Sequence, residues 1–173
     1  MNRRPLAALA LLIPVLLSGC TATIALTPAP HATDKACADV SVHLPTTVSG
    51  QVQRDTNAQA TSAWGNPTSV ILYCGVAVPS PTATLPCVQV GSVYWLRDDL
   101  GKNLYSFTTY GRDPAIQVQI NRATVVPGPA LDDLETAVTY AKATGHVCSD
   151  VEDSLNPDTV ATPTPTPAPT ATN

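Results

Sequence analysis

The sequence predicts an α+β domain: a small, mainly antiparallel sheet of about four strands, packed by one long C-terminal helix, with a short helix or strand in front. Three observations carry this reading. Val70-Ile71-Leu72-Tyr73-Cys74 is a continuous apolar run rich in β-formers, introduced by Gly65-Asn66-Pro67. Ile116, Val118 and Ile120 alternate with Gln117 and Gln119, the two-residue period of a half-buried strand. Leu131, Leu134, Ala137, Val138 and Ala141 share one face of a helix.

The chain begins with Arg3 and Arg4, then an apolar run from Leu6 to Leu17 broken by Pro14. That run is too short to cross a roughly 30 Å hydrocarbon core and reads as a secretion signal, residues 1–19. Its end, Leu17-Ser18-Gly19-Cys20, resembles the lipobox of bacterial lipoproteins, in which the cysteine thiol receives a diacylglyceryl group and the preceding peptide is removed. The resemblance implies lipidation at Cys20. It makes the membrane a partner through the N-terminal lipid, and places the protein on the extracytoplasmic face of the cell membrane. Residues 20–36 are rich in Thr, Ala and Pro and read as a tether, reaching up to roughly 50 Å when extended.

The folded part is expected over 37–148. Cys37 to Leu44 satisfies both a helix and a strand, and Pro45 ends either. Gln51 to Ala63 is polar and reads as loop, Thr68 to Val76 as the clearest strand, and Pro79 to Pro86 as a Pro/Thr loop. Val88 to Leu96 alternates with some irregularity. After a turn at Asp98–Asn103, Leu104–Tyr110 and Ala115–Asn121 should pair as a hairpin around Gly111-Arg112-Asp113-Pro114. Leu131 to Thr144 is the expected long helix. Asp132, Asp133 and Glu135 lie in its first turn, Lys142 in its last, and Gly145 is the cap. Residues 149–173 turn acidic and then into a Pro-Thr repeat, which cannot build a core.

Without residues 1–19 the chain keeps 154 of its 173 residues, with seven Lys+Arg against thirteen Asp+Glu, a net charge of −6. That excludes nucleic acid as a main partner and argues against an anionic lipid surface in that role. Cys37, Cys74, Cys87 and Cys148 form an even set in an exported chain and read as two disulfides. Their gaps of 37, 13 and 61 residues do not fit metal-ligand pairs, so no metal and no cofactor is expected.

No catalytic group is assigned. The histidines are His31 in the tether, His43 beside Pro45, and His146 just past the helix. No GxSxG, HExxH, P-loop or dinucleotide fingerprint is present. Asp98-Asp99 and Asp132-Asp133 are adjacent carboxylates, but a turn and a first helical turn both suit Asp structurally. Arg112 is the leading binding candidate, because a guanidinium in a tight turn can take a carboxylate or phosphate bidentately. Its competing role is a structural ion pair with Asp113 or Asp98. Trp64, Trp95 and Tyr110 are candidates for a binding patch, with core packing the competing role for the tryptophans.

A series of short motifs runs through the folded part. It comprises Cys37, then Leu44-Pro45-Thr46-Thr47-Val48-Ser49-Gly50, Ala63-Trp64-Gly65-Asn66-Pro67, and Cys74-Gly75-Val76. Val90, Val93 and Trp95 follow, and then the Phe107–Val118 segment FTTYGRDPAIQV. The series resembles the actinobacterial secreted proteins and lipoproteins grouped as domain of unknown function 3515. Gly91-Ser92 departs from that pattern, where an acidic residue and then glycine are expected. The resemblance implies an envelope protein and supplies no activity. Cys37 and Cys74 fall inside its motifs, which favours the pairing 37–74 with 87–148 over 74–87 with 37–148 or 37–87 with 74–148.

The function expected is a non-enzymatic, membrane-anchored binding or scaffolding lipoprotein, with an envelope protein or a wall precursor as partner. The competing readings are a hydrolase acting on envelope material and a small-ligand lipoprotein using Arg112 to anchor an anion.

Overall fold

The computed structural model describes residues 22–81 and 84–148. In chain order the elements are α1 (Lys35–Val42), β1 (Thr47–Val48), β2 (Gln51–Arg54), β3 (Thr61–Trp64), β4 (Val70–Val76), β5 (Cys87–Val90), β6 (Val93–Asp99), β7 (Leu104–Tyr110), β8 (Arg112–Asp113), β9 (Ala115–Asn121), α2 (Pro127–Val138) and β10 (Lys142–Ala143). Eight strands form one antiparallel sheet in the order β1-β2-β3-β4-β9-β7-β6-β5, and β8 pairs with β10 as a separate ribbon.

This overturns the α+β expectation of about four strands under one long helix: the fold is mostly sheet, with two short helices. The expected hairpin is present, since β7 pairs directly with β9 from Leu104↔Asn121 to Thr108↔Gln117. The polar stretch expected as loop supplies β2 and β3, where the Gln53 side chain donates to Ser62 Oγ at 2.8 Å. The irregular Val88–Leu96 segment is two strands folded back at Gly91-Ser92. The helix starts earlier and stops sooner than expected. Pro127 suits a first-turn position because its missing N–H has no partner there anyway. After Val138 the chain turns away and Lys142–Ala143 pairs with β8. The ambiguous Cys37–Leu44 segment is helical, capped by Asp34, whose carboxylate accepts the Ala36 N–H at 2.8 Å.

The core lies between one face of the sheet and the two helices. Trp64, Leu72, Trp95, Phe107, Val118 and Ile120 point from the sheet toward Val40 of α1 and Leu131, Leu134 and Val138 of α2, and all are buried. Helix α2 touches both edges of the sheet. Asp133 accepts the Ser49 N–H of the β1–β2 turn at 2.6 Å, and Glu135 accepts the Ser92 N–H of the β5–β6 turn at 2.7 Å. Residues two apart on a helix point to opposite sides. Eight strands laid flat would span roughly 34 Å, far more than one helix can bridge. The sheet therefore curls around α2, so that both edges meet it. Gly91, at φ +55°, leaves room for the second contact: a Cβ there would meet the Glu135 carboxylate and push it off Ser92.

Residues 22–36 differ from the free tether expected of them. Arg54 Nη2 donates to the Ala22 carbonyl at 2.8 Å, the Ile24 N–H to Asp55 O at 2.9 Å, and the His31 N–H to Gly75 O at 2.9 Å. Gly75 marks the bulge in β4. It has φ +88°, and a Cβ there would strike the backbone of His31 and Ala32. The glycine of the Cys-Gly-Val motif thus makes room for this segment. The cysteines pair as Cys37–Cys74 and Cys87–Cys148, the pairing the family resemblance favours. The expected signal over 1–19, the expected lipidation site Cys20 and the expected tail over 149–173 lie outside the described residues.

Candidate functional site: a cleft on the outer sheet face

The strand register lays out the face turned away from the helices. One row runs Leu96, Thr108, Gln117, Tyr73 and Thr61; the next runs Asp98, Ser106, Gln119, Ile71 and Ala63. Side chains two apart on a strand share a face, so these rows alternate with the buried Trp95, Phe107, Val118 and Leu72. The chain leaving β4 at Val76 and the Leu85 region of the Pro/Thr loop rise beside them. Together they enclose a cleft of about 330 Å³. Val76, Val78, Pro79, Leu85 and Leu96 form its apolar part; Asp98, Ser106, Thr108 and Gln117 form its polar part.

The polar groups are already organised. Gln119 Nε2 donates to Gln117 Oε1 at 3.3 Å, and Gln117 Nε2 reaches Thr108 Oγ1 at 3.5 Å. Tyr73, next to Gln117 across the strands, has its phenol held above the ordinary range by burial, so it stays a neutral donor. The cleft offers hydroxyls, amides and one carboxylate beside an apolar wall. That suits a neutral polar or extended peptide-like ligand better than a small anion.

The residues singled out from sequence do not converge here. Arg112 Nη1 donates to the carbonyls of Thr139 at 3.3 Å and Ala141 at 3.0 Å, so it caps the chain leaving α2, where the helix dipole favours a cation. Trp64 is fully buried, with its indole N–H donating to Pro45 O at 3.0 Å. Trp95 is also fully buried, and its N–H finds no partner among the described residues. Tyr110 is half-buried beside His146, 5.7 Å between ring centroids. His43 stacks on Tyr140 at 3.7 Å and bonds the Asp39 carbonyl through Nδ1. His31 is exposed and contributes its backbone to the bulge.

Neither Asp pair acts as a pair. Asp98 faces the cleft, while Asp99 Oδ1 accepts the Gly101 N–H at 2.9 Å, as consecutive strand residues pointing to opposite faces require. Asp133 holds Ser49, and Asp132 is exposed. Among the described residues no three His, Cys, Asp or Glu side chains gather to hold a metal, and no helix is long and apolar enough to cross a membrane. Sequence reasoning missed Gln117, Thr108 and Ser106. Their signal was the polar phase of the β7 and β9 alternation, which carries amides and hydroxyls and no charge.

Glu135 was also missed as a structural group. Its carboxyl is held below the ordinary Glu range, first by the Ser92 hydroxyl and the Ser92 backbone N–H and further by the nearby Arg112 charge. Its contact with a turn more than forty residues away has no local signature in the sequence.

A disulfide-clasped, curled antiparallel sheet with a cleft on its outer face is the class of protein these features define. Residues 7–148 match the family described as Protein of unknown function (DUF3515), and the chain belongs to that family. No curated protein and no solved structure matches it.

Proposed function

We propose that this protein is a non-enzymatic envelope lipoprotein, anchored through Cys20 outside the cytoplasmic membrane, whose outer-face cleft binds an envelope protein segment or a wall precursor. The cleft carries the reading: an apolar wall meets a polar floor of hydroxyls, amides and the single Asp98 carboxylate, and among the described residues no histidine lines it beside Ser106 or Thr108. Its volume falls in the range of small ligand sites. The Cys20 anchor is supported by the charged n-region, the short apolar run and the Leu-Ser-Gly-Cys match.

The test is in-cell photocrosslinking from position 117, inside the cleft, with position 142, on the remote ribbon, as control. Capture of one envelope protein from 117 alone, lost when Thr108→Trp fills the cleft without lowering Tm, supports the reading. Equal capture from both positions, or capture unaffected by Thr108→Trp, overturns it.

A further inference from the structure

The net charge of the chain conceals an asymmetry. Beyond the row Trp64, Val70, Ile120, Tyr105 and Asp99, one end of the sheet is closed by the β6–β7 turn and by the 122–126 connection into α2. The two are joined by the Arg122 N–H donating to Asn103 O at 2.8 Å. Arg97 and Arg122 flank the Tyr105 ring there, at 5.7 and 5.1 Å from its centroid, and Lys102 is exposed in the turn. Arg54 points to the same end, reaching Gly65 O at 3.4 Å and Thr68 Oγ1 at 3.5 Å. Against these four cations stand Asp98, Asp99 and Asp133, the last holding the Ser49 turn beyond Trp64, leaving +1. The other described charges are three cations and six acids, −3.

Two large apolar side chains are exposed at this end, Leu100 at 48% and Val126 at 61%. The chain also enters here. Arg54 holds the Ala22 carbonyl at 2.8 Å, and Cys20 precedes Ala22 by two residues, a reach of roughly 7 Å. A domain whose anchor leaves it so little slack must rest one end against the bilayer, and the end it offers is the cationic one with exposed apolar tips.

We propose that this end is a docking face for anionic phospholipid headgroups. Arg97, Lys102 and Arg122 contact the phosphates, and Leu100 and Val126 enter the headgroup layer. Exposed cations flanking apolar side chains are the usual chemistry of a peripheral membrane contact. Its orientation rests on the Cys20 anchor proposed above; its chemistry does not. The acyl chains would supply retention, and this face would set which way the cleft looks.

The test is hydrogen exchange on the mature chain, reconstituted into phosphatidylcholine vesicles with and without phosphatidylglycerol. Slower exchange over 97–104 and 122–126 only on the anionic vesicles is expected. The triple variant Arg97→Gln, Lys102→Gln, Arg122→Gln should abolish that protection while leaving exchange in β4 unchanged, which shows that the fold is intact. Identical exchange on both vesicles, or protection confined to another face, overturns the proposal. The mass of the purified chain reads lipidation separately. A chain without acyl groups would sink the anchor, yet adding that chain to the same vesicles still decides the docking face. There the triple variant should bind anionic vesicles on the order of a hundred-fold more weakly.

Discussion

The two disulfides tie very different parts of the molecule. Cys37–Cys74 joins α1 to the central strand β4, and both cysteines are fully buried in the core cluster. Cys87–Cys148 joins the edge strand β5 to the end of the described chain, and both cysteines are partly exposed. Loop length alone favours the rim bridge, since 61 residues against 37 is worth only about 0.4 kcal/mol more in the chain-entropy picture. The surroundings decide the difference. A cut rim bridge lets residues 142–148 fray at small cost, because that strap is exposed and its backbone contact to the sheet includes the Thr144 N–H donating to Gly111 O at 2.9 Å. A cut core bridge leaves a defect among Val40, Leu72 and Trp64 that nothing relieves.

The largest effect therefore belongs to the core. Cys37→Ala with Cys74→Ala should cost roughly 3–5 kcal/mol in a urea titration. Cys87→Ala with Cys148→Ala should cost less than about 2 kcal/mol, with faster amide exchange confined to 142–148. Equal costs for the two double variants would dissolve the comparison.

A smaller effect separates the turn-bracing carboxylate Glu135 of α2 from the rest of the surface. The folded carboxyl of Glu135 sits below its unfolded value, so its contribution is full above the ordinary Glu range and is lost as pH falls through the lower folded value. Stability should drop in that acidic window, and Glu135→Gln should flatten the drop while lowering stability at neutral pH. A wild-type and variant pair with parallel pH profiles would remove Glu135 from the account. The smallest effect is expected at the far end: deleting 162–173 should leave Tm essentially unchanged, and a fall of several degrees would mean that the Pro-Thr tail packs on the domain.

What was legible in the sequence follows how local each signal is. β7 and β9 were read to the residue because Leu104–Tyr110 and Ala115–Asn121 alternate between turns. β2 and β3 were hidden because an edge pair held by Gln53 and Ser62 has no apolar period. Gly91-Ser92 was invisible as a hairpin turn because Glu135 braces it from a distant helix. The helix was extended too far because Ala141 keeps the apolar face in phase, although Arg112 takes its carbonyl and β8 pairs with the residues that follow. The cleft has no strong signature for a related reason: apart from Asp98, its floor is made of hydroxyls and amides in the polar phase of ordinary strands.

The grip of α2 on both edges has one more consequence. Unpaired strand edges are where antiparallel sheets recruit other chains and aggregate. Here the outermost strands are two and four residues long, and each adjoining turn is drawn inward by a helix carboxylate. The fold thus hides its edges in the same step that closes its core. Neutralising Asp133 and Glu135 together would leave a folded sheet with two open seams.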